Sequence, residues 1–269
     1  MLAISMLLAA VNLLVTPEWL SSQKDVVILH AGSAKDYAEG HIAGARLVTL
    51  ADVSRPDAKL RLEMPPAELM RERLRHWGIG DGTPVVVYAG NESIQTATRV
   101  WFTLEYHSLP ASLLDGGLAA WKAKGLPVTT ESPTVTPAVS LTVRPRPELI
   151  VDAAWVKGHL GDAAVKIVDA RLPEFYTGAS AGNMPRAGHI PGAVSVPFPT
   201  LLTAGKSFLP AGELVGKLGA GETLVTYCHI GMQATVPYFA ARLAGREVRL
   251  YDGSYEEWSG MAELPVEKQ

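Results

Sequence analysis

Cysteine is nearly absent: Cys228 is the only one in 269 residues. A single cysteine rules out an internal disulfide and any Cys-rich metal site. Charged residues are sparse at 19%, net charge is -3, and no basic tract occurs. That argues against nucleic acid as the main partner, which requires a concentrated positive surface. The amino-terminal "MLAISMLLAAVNLLVTP" has no charged side chain and contains Asn12. It is too short and poorly flanked for a stable membrane span, and it lacks the basic region of a signal peptide. The expectation is a retained segment in a cytoplasmic protein, or a periplasmic one if the segment is a cleaved leader. In "LLVTPEWL" the folded unit begins, with Thr16 as N-cap and Pro17 at the first helical position.

Hydrophobic residues are plentiful at 48%, enough for one large domain or two modest ones. The chain repeats itself. "VVILHAG" leads to "GHIAGA" and later "VKIVDAR" leads to "GHIPGA"; "TPVVVYAG" is echoed by "ETLVTYCH". "LLDGGLAAW", with Asp115 six residues before Trp121, returns as "LYDGSYEEW", with Asp252 six before Trp258. Matches in the same order about 140 residues apart indicate two copies of one domain. The expected boundaries are 13–130 and 146–262, joined by an extended, proline-spaced linker at 131–145.

In each copy β-branched runs alternate with helical patterns. Val26–Leu29, Val85–Tyr88, Val165–Val168 and Leu224–Tyr227 read as strands buried on both faces. "ELMRERLRHWGI" and "ATVPYFAARLAG" read as helices ending before Gly78 and Gly245, with Pro237 in the first turns or at a kink. The fold class is therefore α/β, two domains each with a central, mostly parallel sheet flanked by helices. Sites in such sheets lie at the carboxyl ends of strands, where Cys228 falls.

A lone cysteine is most often inert filler. Cys228, however, follows a strand and precedes a loop and a helix starting near Ala234. Loop amides and the helix N-terminus would both favour negative charge at the thiol, and Gly231 lets the loop curl into an anion nest. A Cys228–His229 dyad is disfavoured because adjacent side chains diverge; His229 reads as a rim residue. "CH" offers no further metal ligands. His41 and His189 recur in both copies and read as structural, as do Asp115 and Asp252 as turn or capping residues. The first copy has Ala89 where the second has Cys228, and His30 and Gly32 where the second has Asp169 and Arg171. One active and one supporting domain follow.

The motifs "GHIAGA", "GHIPGA", "VDAR", "YCHIGMQA", "LDGGLAAW" and "YDGSYEEW", with "LLVTPEWL", resemble the tandem-domain rhodanese family of thiosulfate and 3-mercaptopyruvate sulfurtransferases, from about Leu13 to Trp258. The resemblance implies an inactive first domain and a second in which Cys228 becomes a persulfide. Sulfur from a small anionic donor would pass to cyanide, a small thiol or a thioredoxin-like protein, with no cofactor or metal, by covalent double displacement in a monomer. Backbone amides of His229, Ile230, Gly231, Met232, Gln233, Ala234 and Thr235 would stabilise the charges. Arg171, a loop-facing cation or a structural partner for an acidic residue, and Arg186 would bind the donor, with a surface or interdomain ion pair as the alternative for either; Asp169, His189 and Asp252 would be scaffold. The loop departs from the family at Ile230, where mercaptopyruvate enzymes carry Ser and animal-type thiosulfate enzymes carry Lys. Thiosulfate is the expected donor, because sulfite leaves without an acid; 3-mercaptopyruvate is the alternative, and a non-enzymatic persulfide carrier is a second. The related Cys-dependent phosphatases need an arginine where this chain has Ala234.

Overall fold

The computed structural model describes residues 12–91, 93–219 and 222–269. The choice between leader and retained segment for residues 1–11 lies outside them. Twelve strands are described, in chain order β1 Leu14–Val15, β2 Val27–Ala31, β3 His41–Ile42, β4 Arg46–Val48, β5 Val85–Ala89, β6 Ala111–Leu114, β7 Val128–Thr129, β8 Ile150–Val151, β9 Val165–Asp169, β10 Val194–Ser195, β11 Thr223–Tyr227 and β12 Glu247–Tyr251. The helices are α1 Pro17–Ser22, α2 Ala34–Glu39, α3 Ala67–His76, α4 Ile94–Tyr106, α5 Gly117–Ala123, α6 Ala153–Gly158, α7 Pro173–Tyr176, α8 Ala211–Leu218, α9 Thr235–Leu243 and α10 Ser254–Gly260.

One five-stranded sheet runs β1-β6-β5-β2-β4 and the other β8-β12-β11-β9-β10, with every pair parallel. The two copies thus share one topology, and the strands expected from sequence occupy their centres. β5 is buried at every residue, as a two-sided sheet requires. Thr16 caps α1 by accepting from the Trp19 amide, and Pro17 opens that helix. Pro237 sits at the third position of α9, where its missing N–H leaves no gap in the helical ladder.

The connector lies along the first unit. Glu131 O lies 3.2 Å from His41 Nε2, the Ala138 amide donates to the Arg75 carbonyl, and the Arg144 amide to the His107 carbonyl. Leu141 buries itself in the core.

The units meet through α4 and α9, the helices that follow equivalent strands. Trp101 stands edge-on to Phe239 at 4.6 Å and Phe102 to Tyr238 at 4.7 Å. The Thr98 and Thr235 hydroxyls are 2.7 Å apart, and Arg242 pairs with Glu105 at the other end. Asp115 and Asp252 do more than the turn or capping role that the sequence suggests. Asp115 accepts from the Phe208 amide of the second unit at 3.1 Å, and Asp252 from the Met64 amide of the first, also at 3.1 Å. The repeat has become a reciprocal clasp.

Replacing half-buried Asp115 with Ala leaves the Phe208 amide without its partner. Urea unfolding should show a loss of about 1–2 kcal/mol; an unchanged midpoint would deny the clasp a stabilising part.

Candidate active site

β9 and β11 are the neighbouring strands at which the chain's direction across the sheet reverses, and their carboxyl ends form the crevice where ligands bind in such sheets. Asp169 and Arg171 stand at the end of β9, and Cys228 directly after β11.

The loop from Cys228 to Ala234 is held by its carbonyls. Cys228 O accepts from the Tyr255 amide and His229 O from the Glu256 amide, each at 2.9 Å. Gly231 O accepts from Arg99 Nη1 at 3.1 Å, Met232 O from the Thr235 hydroxyl at 2.7 Å, and Gln233 O from the Val236 amide at 3.1 Å. A trans peptide points its N–H opposite its C=O, and no cis bond occurs here. The amides of His229, Ile230, Met232, Gln233 and Ala234 are therefore turned to the other side. Among the described residues none of the N–H groups from His229 to Ala234 donates a hydrogen bond to the protein. Gly231 and Ala234 are buried, and buried amides left without partners are rare and costly. Such a run of donors ahead of a helix N-terminus is an anion site in waiting.

Gly231 makes the curl possible. Its φ is +78°, and a side chain there would meet the Asp252 carbonyl at 2.7 Å. The Cys228 amide is separately fixed, donating to the Ser254 hydroxyl at 3.2 Å. Ser254 holds φ +52°, unusual for a residue with a side chain, at the position where the first unit has Gly117 at φ +56°. The "DGG"/"DGS" difference between the copies is the sequence signal that would have found it.

Cys228 is wholly buried. It belongs to an apolar cluster that includes Ala97 and Trp101 of the first unit and Val168, Ala170 and Ala234 of the second. His229 does not pair with it. Its ring stands edge-on to Phe175 at 4.5 Å, and the sulfur has no side-chain hydrogen bond among the described residues. Burial, then the nearby Arg171 cation, hold His229 below the usual imidazole range, so the ring is neutral at pH 7.

The two arginines expected to bind a donor are engaged elsewhere. Arg171 is 1% exposed, forked onto Asp169 at 2.6 Å, bonded to Gly188 O at 2.8 Å, and stacked 4.1 Å over Tyr255. Tyr227 donates to the same carboxylate at 2.6 Å. Arg186 donates to the carbonyls of Trp258, Ser259, Met261 and Leu264, closing the C-terminal end of α10. Arg186 spends its fork on carbonyls, while Arg171 commits Nε and Nη2 to Asp169 and Gly188 O, so both guanidiniums hold structure together. His189 is stacked on Tyr176 at 3.9 Å, as His41 is on Tyr37 at 3.6 Å. Among the described residues no cluster of His, Cys, Asp and Glu could hold a metal.

The first unit shows what a closed version looks like. After Ala89, the Asn91 amide donates to Asp36 Oδ2 at 2.9 Å, and His30 Nε2 lies 3.2 Å from the same oxygen. A resident carboxylate thus sits on the equivalent loop. A profile described as "Rhodanese-like domain" matches residues 16–124 and 152–261. The chain belongs to the rhodanese-like family. A "Probable 3-mercaptopyruvate sulfurtransferase" of Pseudomonas aeruginosa is 36% identical over 87% of this chain and 86% of its own. A "Putative thiosulfate sulfurtransferase SseB" of Mycobacterium tuberculosis is 30% identical over 86% and 84%. Among solved structures, YnjE superposes with a TM-score of 0.85 at 24% identity, covering 95% of this chain and 68% of that one. The anaerobic ergothioneine biosynthesis enzyme of Chlorobium limicola gives 0.83 at 24%, covering 95% and 70%. These last two show shared fold. Rhodanese-type sulfurtransferase chemistry is the activity class of this chain. Among the described residues, no helix is long and apolar enough to cross a membrane.

Two outcomes follow. His229 and buried His107, which burial likewise holds low, should titrate below about 6.5 in histidine-detected NMR. Because the unfolded chain binds those protons first, their contribution to stability is full above that pH and is lost as pH falls through it toward the folded values. A midpoint at or above 6.5 for His229 would contradict the burial argument. Arg186→Ala should lower stability by about 2–4 kcal/mol in denaturant unfolding while leaving donor KM nearly unchanged; the reverse pattern would restore a binding role.

Proposed function

We propose that the protein is a thiosulfate sulfurtransferase working through a persulfide on Cys228. The observation that carries this reading is the run of amides after Cys228, ahead of α9, that find no partner among the described residues, those of buried Gly231 and Ala234 included. The Cys228 thiolate attacks the outer sulfur of thiosulfate; the sulfur–sulfur bond breaks and sulfite leaves with its electron pair. The product, Cys228–S–S⁻, carries its negative charge on the terminal sulfur, where loop amides stabilise it. Cyanide then attacks that sulfur, thiocyanate departs, and the thiolate returns. Charge balances in both steps and no proton moves.

The absence of a proton is what favours thiosulfate. Ile230 packs against the second unit's core and offers no acid, and His229 is neutral. Pyruvate leaving from 3-mercaptopyruvate takes a proton that this loop does not supply. The second reading, a 3-mercaptopyruvate sulfurtransferase, is favoured by the relative at 36% identity with that name. Burial of Cys228 has a consequence for either donor: the sulfur must become accessible before it reacts, so chemistry and access are coupled.

The test is steady-state kinetics with both donors on one preparation, for wild type, Cys228→Ser and Ile230→Ser. Thiosulfate should give the higher kcat/KM, Cys228→Ser should abolish transfer, and Ile230→Ser should raise the mercaptopyruvate rate relative to thiosulfate. Transfer surviving in Cys228→Ser would sink the nucleophile, and a higher kcat/KM for mercaptopyruvate in wild type would replace the donor.

A further inference from the structure

Gly231 creates a problem that the second unit does not solve alone. A glycine peptide rotates readily, since no Cβ restricts it, yet the Gly231–Met232 peptide must be held one way for the Met232 N–H to face the same side as its neighbours. The carbonyls of Cys228 and His229 are fixed by amides of α10, and those of Met232 and Gln233 by the first turn of α9. Gly231 O is fixed by Arg99, which comes from α4 of the unit that has no cysteine.

Arg99 is built for that task. It is fully buried, with Nη1 on Gly231 O at 3.1 Å and on Asp252 Oδ1 at 2.5 Å, and Nη2 on Leu62 O. Asp252 neutralises the guanidinium and is itself held by the Met64 amide, so the fork cannot swing. A buried cation on a carbonyl also polarises the peptide, making its N–H a stronger donor.

We propose that Arg99 is a positioning residue for sulfur transfer, through which the cysteine-free unit sets the Gly231–Met232 peptide and aims the Met232 amide at the charge that develops on the Cys228 sulfur. This rests on Cys228 being the nucleophile. It gives the first unit a definite part in the chemistry: it supplies the fifth carbonyl tether of a loop whose other four are local.

The experiment compares Arg99→Met and Arg99→Lys with Arg242→Met, which cuts the Glu105 contact at the far end of the same helix pair. The readouts are thiosulfate:cyanide kcat and KM, thermal midpoint, and the ¹H shift of the Met232 amide. Arg99→Met should lose about 100-fold in kcat, the order seen when one oxyanion donor is removed, with KM changed far less and the Met232 proton moved upfield. Arg99→Lys should recover about tenfold of that, because an ammonium keeps the charge but not the fork. Arg242→Met should lower the midpoint with kcat within about threefold of wild type. If Arg99→Met does not fold, Arg99→Lys and its Met232 shift decide. An Arg99 variant, folded by near-UV circular dichroism, with wild-type kcat and an unmoved Met232 proton overturns the proposal. So does an equal kcat loss in Arg242→Met. Cys228→Ser in parallel separates the two ideas: transfer that survives there overturns the nucleophile, whereas transfer lost there but intact in the Arg99 variants overturns only the positioning role.

Discussion

The peptide bond's fixed geometry governs this site. Once the carbonyls after β11 are tied by the Tyr255 and Glu256 amides, by Arg99 and by the first turn of α9, their N–H groups can point only the other way. The donors the loop gathers are all backbone amides, and Arg99 is the one charged side chain among these tethers. Everything nearby serves that arrangement: Gly231 supplies the curl, Ser254 fixes the cysteine amide at the cost of an unusual backbone conformation, and Asp252 holds Arg99 in place.

Duplication explains how the parts were divided. Both copies keep the same sheet, the same stacked histidine and the same Asp-to-partner amide bond, now exchanged across the interface. They differ where chemistry would occur. The second copy has Asp169 and Arg171 locked together beneath Tyr227 and an open run of amides after Cys228. The first has Ala89, and its Asn91 amide is already bound to Asp36. A loop that carries its own carboxylate has no need of an anionic ligand. The α4–α9 contact then joins the two, so that the closed copy braces the open one.

Much of this was legible in the amino acids. The central strands, the caps at Thr16 and Pro17, the tolerated Pro237 and the loop-borne cysteine all depend on local chemistry, and the repeat betrayed the two-domain fold. For Arg171 and Arg186 the sequence shows a cation and not which partner it takes; Arg171 meets the acidic partner that was one of its readings, and Arg186 meets carbonyls. Arg99 was invisible for the opposite reason. It sits in an apolar helix 132 residues from Gly231, and only the packing of α4 on α9 brings them together. Burial of Cys228 was equally hidden, since it lies in an apolar cluster to which both units contribute.

In the proposed reaction Cys228 carries the sulfur. The most direct measurement is intact-protein and peptide mass spectrometry after thiosulfate treatment, followed by cyanide. One added sulfur, located on the peptide containing Cys228 and removed by cyanide with release of thiocyanate, is the predicted result. Turnover of thiosulfate and cyanide with Cys228 unmodified throughout would contradict it.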